Sequence, residues 1–153
     1  MPRRNDAHRT FDARLRRAQQ FEAVKSLHDE HQTPLPYTAT FKDHLTNPRN
    51  VGELPNATVV AEETNPVCGD RLRLSLIIEN TQIKVARYLA YGCPPTLVSG
   101  SVLTEMIIGR TTSDAANLTS AQLIEALGGL PNRKHHAASL AIEALRACLS
   151  TSV

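Results

Sequence analysis

Residues 71–91 read RLRLSLIIENTQIKVARYLAY, and this stretch decides the fold class. Apolar residues occupy the even positions of 71–79 and alternate with mostly polar ones, which is the period of a strand with one buried face. Asn80-Thr81 predicts a tight turn between two strands. The alternation then resumes along a following strand, at Ile83, Val85, Arg87 and Leu89. The stretch therefore predicts antiparallel strands packed on one side against a core.

The segments on either side complete the architecture. Upstream, the pattern predicts a helix over 37–46 and a strand over 57–62. Downstream, the pattern predicts four helices. The first runs from Pro94 to about residue 108, and a short second one follows Thr112-Ser113. The third covers 120–127 and begins with a Thr119–Gln122 capping box, and the last runs from about residue 133 to the end. Because the strands come first and the helices follow, we expect an α+β fold in which helices cover one face of a three-stranded antiparallel sheet.

Composition excludes several protein classes. The chain has 153 residues, 41% hydrophobic and 21% charged, which suits one globular domain. No apolar run approaches the ~18 residues of a membrane span. Residues 37–153 carry ten basic and ten acidic side chains, so the net charge of +2 comes from residues 1–36. The whole chain has six Phe and Tyr and no Trp, and a neutral domain with so few aromatic rings is not expected to bind nucleic acid.

Residues 1–36 form an Arg-rich N-terminal extension, and residues 37–153 are the predicted domain. The extension is predicted to be helical, and three roles stay open for it: a solvated or docked helix, an arm that binds a larger assembly, or a targeting segment. Its five acidic residues disfavour a mitochondrial transit peptide. Three cysteines without regular spacing do not predict disulfides, so we expect a reducing compartment: the cytoplasm, with the mitochondrial matrix as the alternative.

Four residues could carry chemistry. Cys68 and Asp70 flank a glycine in a loop between strands, where a thiolate and a carboxylate can turn toward one metal. Cys93 directly precedes a predicted helix, whose free N–H groups would stabilise a thiolate. Of the pair His135 and His136, only one should face a shared site, since consecutive helical residues point ~100° apart. Each residue taken alone also fits a structural role.

Cys148 belongs instead to the apolar face of the last helix. It is nearly on the same side as Ala137 but ~16 Å further along the axis, given the rise of an α-helix. We therefore expect a core cysteine that cannot serve a metal held at the start of that helix.

The order of motifs resembles the iron–sulfur cluster assembly scaffold family, which includes IscU, SufU and the N-terminal domain of NifU. The motifs that carry the resemblance are DHLTNPRNVG (43–52), NPVCGD (65–70), YGC (91–93), SGSVLTEMIIGR (99–110) and LPNRKHH (130–136). They cover roughly 37–149, with the spacing of the IscU type. The family's fold is a three-stranded antiparallel sheet covered by helices, in agreement with the prediction made from the pattern.

The resemblance implies a ligand set and partners. The family binds metal or a transient [2Fe–2S] cluster through three cysteines, an aspartate and a histidine, and it receives sulfur from a cysteine desulfurase and delivers clusters to apoproteins. The matching positions here are Cys68, Asp70, Cys93 and His136. The third family cysteine, implicated in accepting persulfide sulfur, is replaced by Ala137. The family's chaperone-recognition loop is also altered, to the more polar stretch 130–134.

Two functions of different class remain. The chain could be an assembly scaffold or carrier that binds Fe, Zn or a [2Fe–2S] cluster with an incomplete cysteine set. It could instead be a degenerate homologue that is retained as a structural or regulatory subunit of a larger complex and binds Zn or no metal. No catalytic constellation supports a hydrolytic or redox enzyme. In either case we expect a protein that is not an enzyme.

Overall fold

Three strands form an antiparallel sheet in which spatial order follows chain order. The computed structural model describes residues 37–151; the predicted extension 1–36 lies outside the described residues. The strands are β1 (Val59–Thr64), β2 (Arg71–Glu79) and β3 (Gln82–Tyr91), and they pair in the order β1-β2-β3. The predicted α+β class and three-stranded antiparallel sheet are confirmed. The first strand begins two residues later than predicted, because Ala57 closes a turn by donating its N–H to the Leu54 carbonyl.

The inward alternation predicted for the third strand is wrong at Val85, which is half-buried, and at Arg87, which is exposed, although Leu89 is buried. Ile78 pairs with Ile83 while Ile77 pairs with Val85, so β3 carries an extra residue, Lys84, opposite β2. Such a bulge reverses which side chains point inward, because the side-chain period of a strand is two. The residues of β3 that join the core beyond the bulge are Ala86, Tyr88 and Ala90.

The predicted helices are confirmed, with ends shifted by a few residues. They are α1 (Ala39–Thr46), α2 (Pro94–Ile107), α3 (Thr112–Ala116), α4 (Ser120–Ala126) and α5 (His135–Thr151). The capping box of α4 is present: Thr119 accepts from the Gln122 N–H, and the Gln122 side chain accepts from the Thr119 N–H. The last α-helix starts at His135 because a 3₁₀ turn, Asn132–Lys134, precedes it.

Two helices, α2 and α5, pack against the sheet. α5 packs on β1 and β2, whereas α2 packs on β3 and on α5. Eleven of the fourteen residues of α2 are buried, as its apolar pattern on several sides predicted. Gly100 permits the close approach of α2 to β3, since a Cβ there would lie 2.4 Å from the Tyr88 ring. The starts of α2 and α5 are thereby fixed near the β1–β2 loop.

Candidate metal centre

The β1–β2 loop presents Cys68 outward and Asp70 inward. The Asn65 N–H donates to the Asp70 carbonyl over 2.8 Å, and the Gly69 N–H donates to the Asn65 carbonyl over 2.8 Å. Gly69 has φ +77°, in the left-handed region that glycine occupies without strain. Cys68 is exposed, while the side chain of Asp70 is buried, with the residue 5% exposed. The loop therefore places a thiol and a carboxylate at different depths of one surface.

Asp70 is the centre of the cluster. Its Oδ2 accepts a hydrogen bond from the Cys93 thiol (3.1 Å) and one from the Thr96 hydroxyl (2.8 Å). Burial acts to raise the pKa of this carboxyl, but hydrogen bonds from Cys93, Thr96 and Cys68 outweigh it and hold the pKa below its usual value. Gly92, with φ +145°, leaves the space for the carboxylate, since a Cβ there would lie 2.3 Å from Oδ1.

Cys93 is the N-cap residue of α2, with Pro94 and Pro95 at the start of the helix as predicted. The expected stabilisation of its thiolate at the helix N-terminus is present as a hydrogen bond from the Thr96 backbone, which lowers the pKa of Cys93, but larger effects outweigh it. Burial raises the pKa of Cys93, and the nearby Asp70 carboxylate raises it further, while the side-chain contact with Thr96 acts in the opposite direction. Cys93 is therefore a protonated thiol that donates a hydrogen bond to Asp70.

His136 approaches the same carboxylate from α5. Its Nδ1 lies 3.1 Å from the Arg133 carbonyl, which can only accept, so Nδ1 carries the proton in this geometry. Its Nε2 lies 3.7 Å from Asp70 Oδ2 and is buried without a hydrogen-bond partner among the described residues. A neutral imidazole held through Nδ1–H, with a free Nε2 lone pair, is the usual form of a histidine metal ligand. His135 points elsewhere, with its Nε2 3.0 Å from the Leu130 carbonyl.

The structure brings the four predicted site residues to one place. One ligand atom from each of Cys68, Asp70 and His136 lies within 4.8 Å of the others. Cys93 joins this group through its hydrogen bond to Asp70. Two thiols, a carboxylate and an imidazole are donors suited to tetrahedral Zn²⁺ or Fe²⁺, or to an iron–sulfur cluster with mixed ligands. The unpartnered Nε2 of His136 makes the donor set fit a metal.

Ala137 and Cys148 lie outside this group. Ala137 is fully buried directly after His136. Cys148 is also fully buried, with its Sγ 3.3 Å from the Leu74 carbonyl, and burial raises the pKa of its thiol to about 12. The expectation that Cys148 is a core residue is confirmed.

Sequence reasoning missed two residues that shape the site, Thr96 and Gly92. Thr96 donates to Asp70, and its position three residues after Cys93, in the first turn of a helix, was an available signal. Gly92 gave no local signal, because its closeness to Asp70 depends on the pairing of β2 with β3. A cleft of about 260 Å³ also opens beside His136; its lining is Thr64, Asn65, Pro66, His136, Ser139, Leu140 and Glu143.

Comparisons with known proteins found relatives in sequence and in fold. The NifU-like N terminal domain family matches residues 36–151. The chain is 38% identical over 110 residues to an iron–sulfur cluster assembly scaffold protein IscU of Archaeoglobus fulgidus, covering 72% of each chain. It is 38% identical over 115 residues to the corresponding IscU protein of Aquifex aeolicus, covering 74% of this chain and 73% of that one.

A solved structure is similar in fold. The N-terminal part of a NifU-like protein from Brucella abortus matches with a TM-score of 0.61 at 17% identity, covering 75% of this chain and 92% of that one. Between residues 37 and 151, none of the helices has the length and apolar character needed to cross a bilayer.

Proposed function

Because the chain belongs to the NifU-like N terminal domain family, whose relatives include iron–sulfur cluster assembly scaffold proteins, we propose that it binds iron and a nascent [2Fe–2S] cluster as cargo. The proposed ligands are Cys68, Asp70, Cys93 and His136. A cysteine desulfurase would supply the sulfur, and apoproteins would receive the cluster. The protein in this role holds and transfers its cargo and is not an enzyme.

The observation that carries the proposal is the convergence of three ligand atoms within 4.8 Å, one of them the unpartnered Nε2 of His136. A buried polar atom without a partner costs free energy, about 1–3 kcal/mol in mutational data. A cation between Nε2 and the Asp70 carboxylate would satisfy both groups. The hydrogen bond from Nδ1 to Arg133 would keep the ring oriented for that contact.

Each proposed ligand has a definite task. Asp70 would give up its hydrogen bonds from Cys93 and Thr96 on metal binding, and Cys93 would release its proton to solvent to bind as a thiolate. Cys68, on the exposed loop, would close the site from the solvent side. With two thiolates rather than three, the cargo should be held less firmly, which suits transfer to an acceptor.

The test is metal analysis of the anaerobically purified chain, with His136→Ala compared with His135→Ala. The two histidines are adjacent, but only His136 faces Asp70, so we expect iron and acid-labile sulfide to be lost in His136→Ala and kept in His135→Ala. Iron and sulfide in near-equal amounts, with visible charge-transfer bands, would support the proposal. Equal retention by both variants would contradict the ligand set.

Ala137 favours a second candidate, a structural or regulatory subunit that binds Zn²⁺ or no metal. This position has no thiol, and its side chain is fully buried. Co-purification of a large partner with zinc alone, and failure to acquire iron and sulfide in a reconstitution with a desulfurase, would support this function instead.

A further inference from the structure

The cleft beside His136 adjoins the proposed cargo site, and the inference that follows rests on the proposed function. Its volume is about 260 Å³, slightly below the ~300–1,000 Å³ of pockets that hold drug-sized ligands. Its walls are the end of β1, the start of the β1–β2 loop and the face of α5 from His136 to Glu143. The cleft therefore suits a ligand about the size of a short peptide, placed against one of the proposed metal ligands.

Several polar groups of the cleft have no partner within residues 37–151. Glu143 is exposed, and its carboxylate forms neither an ion pair nor a hydrogen bond in this range. The same holds for the Ser139 hydroxyl. Asn65 accepts a hydrogen bond from the Val67 N–H through Oδ1 (2.9 Å), which leaves its amide nitrogen available as a donor. One negative charge and two groups able to donate therefore line the same cleft.

These groups match the two charges of an α-amino-acid head group. The Glu143 carboxylate can accept hydrogen bonds from an ammonium group, while the Ser139 hydroxyl and the Asn65 amide can donate to a carboxylate. Pro66 and Leu140 add apolar surface for the carbon chain between the polar groups. A ligand with both an ammonium and a carboxylate group therefore fits the cleft better than a purely apolar or purely anionic one.

The replacement of the third family cysteine by Ala137 leaves the proposed cargo with one thiolate fewer than the family pattern implies. A thiolate from a small molecule can occupy that coordination position, because a metal requires a deprotonated sulfur but not one attached to the chain. His136 belongs to both the cleft and the proposed ligand set. A thiol on a ligand in the cleft would therefore lie beside the cargo.

The length of the cleft selects the kind of thiol. Glu143 lies two helical turns after His136 on the same face of α5, about 10 Å further along the axis. In L-cysteine the ammonium and the thiol stand on neighbouring carbon atoms and cannot serve both ends, whereas in glutathione a γ-glutamyl group separates them. We propose that the cleft binds a low-molecular-weight γ-glutamyl thiol with its ammonium group at Glu143, and that the thiolate of this ligand replaces the missing cysteine as a ligand of the cargo.

Coordination of this kind needs no oxidant or reductant. The thiol of the ligand releases its proton to solvent, and its sulfur donates an electron pair to iron in place of a water molecule. No covalent bond forms between the ligand and the chain, and no oxidation state changes.

The first experiment measures binding to the cleft without a free thiol or a metal. The chelator-treated full chain is titrated with S-methylglutathione and followed by NMR, and we expect saturable shifts of the amides of 64–66 and 136–143. Glu143→Gln should weaken binding about fivefold, the effect of losing one solvent-exposed ion pair. Glu125→Gln, an exposed acidic residue on α4, is the matched control and should leave the affinity unchanged. Absence of binding, or equal affinity of all three chains, would overturn the inference.

A modified probe tests the contact between the ammonium group and Glu143. N-acetylation of S-methylglutathione removes the ammonium charge, so it should weaken binding to the wild type by about the same factor as Glu143→Gln. It should weaken binding to Glu143→Gln no further, because the contact is already lost there. Full additivity of the two changes would overturn the placement of the ammonium group.

The second experiment tests the thiolate. The wild-type chain is loaded chemically with iron and sulfide, and the decay of visible absorbance is followed in chelator-containing buffer with reduced glutathione, S-methylglutathione or L-cysteine. We expect only reduced glutathione to slow the decay, and Glu143→Gln to need about fivefold more of it for the same effect. Equal protection by S-methylglutathione would overturn the thiolate as a ligand, and equal protection by L-cysteine would overturn the need for the γ-glutamyl group.

Failure of the inference is distinct from failure of the proposed function. The proposed function fails if the wild-type chain takes up no iron and sulfide under anaerobic conditions. The inference fails if the chain takes up iron and sulfide but S-methylglutathione does not bind, or if reduced glutathione does not slow the loss of the cargo.

Discussion

Asp70 Oδ2 lies 3.1 Å from the Cys93 thiol and 3.7 Å from His136 Nε2, so one carboxylate oxygen joins residues that are distant in the chain. The first contact is a hydrogen bond, whereas the second leaves the imidazole nitrogen unpartnered. The candidate site is therefore organised around Asp70, which lies next to both Cys93 and His136.

Gly92→Ala should disturb this organisation. The new Cβ would lie 2.3 Å from Asp70 Oδ1 and would require φ +145°, so both the carboxylate and the backbone would have to shift. We expect a loss of about 2 kcal/mol in unfolding free energy, from steric displacement and backbone strain, together with weaker iron binding. Denaturant unfolding and a metal titration measure the two effects.

Gly109→Ala is the matched control for that variant. Gly109 also has positive φ (+91°), but a Cβ there would have no described atom within 4 Å. It should cost only backbone strain, about 1 kcal/mol, and leave iron binding unchanged. Weaker iron binding in Gly109→Ala as well would show that the contact with Asp70 is not the cause.

Cys93→Ala and Cys148→Ala should have opposite effects. Cys93→Ala removes a proposed ligand, so iron retention should be lost. Cys148→Ala removes a fully buried sulfur far from the site, so iron retention should be kept while the unfolding free energy falls by about 1 kcal/mol. Iron analysis and denaturant unfolding of both variants check this, and equal loss of iron in both would refute the site.

Ala137→Cys should restore a third thiol next to His136. Thiolates are the usual ligands of iron–sulfur clusters, so a reconstituted cluster should be retained longer in the variant than in the wild type. The decay of visible absorbance after transfer to chelator-containing buffer measures retention. An unchanged decay rate would mean that the buried position 137 does not present its side chain to the cargo.

The pH dependence of stability should contain a contribution from His44. Its Nδ1 lies 2.7 Å from the Ser101 hydroxyl and its Nε2 lies 3.2 Å from Glu105. Burial lowers the pKa of His44 below 6.5, and the charge of Arg49 lowers it further, against the opposing effect of Glu105 and Asp43. As pH falls below 6.5 the unfolded chain takes up this proton before the folded chain does, so the unfolding free energy should decrease.

Denaturant unfolding at a series of pH values measures this contribution. His44→Gln should flatten the dependence just below pH 6.5, because the substituted side chain does not titrate. His135→Gln, at the first residue of α5, is the control for removing a histidine. An unchanged slope in His44→Gln would contradict the assignment.

The sequence by itself determined the order and type of the elements. Three of the signals are local: the alternation in 71–79, the prolines after Cys93 and the capping box at Thr119. Local backbone and capping preferences were enough to form the corresponding strand and helices. The sequence also supplied the four candidate ligands through the order of its motifs. The burial of Cys148 followed from the apolar face of its helix, and its distance from the candidate site followed from helix geometry.

Only the tertiary structure decided what depends on contacts between distant segments. The bulge at Lys84 depends on the pairing of β3 with β2, and it reversed the predicted inward face of that strand. The pKa of Cys93 was expected to fall at a helix N-terminus, but it is raised, because folding buries the thiol and places the Asp70 carboxylate against it. Burial and long-range electrostatics arise only when the chain is folded, and local sequence does not encode them separately.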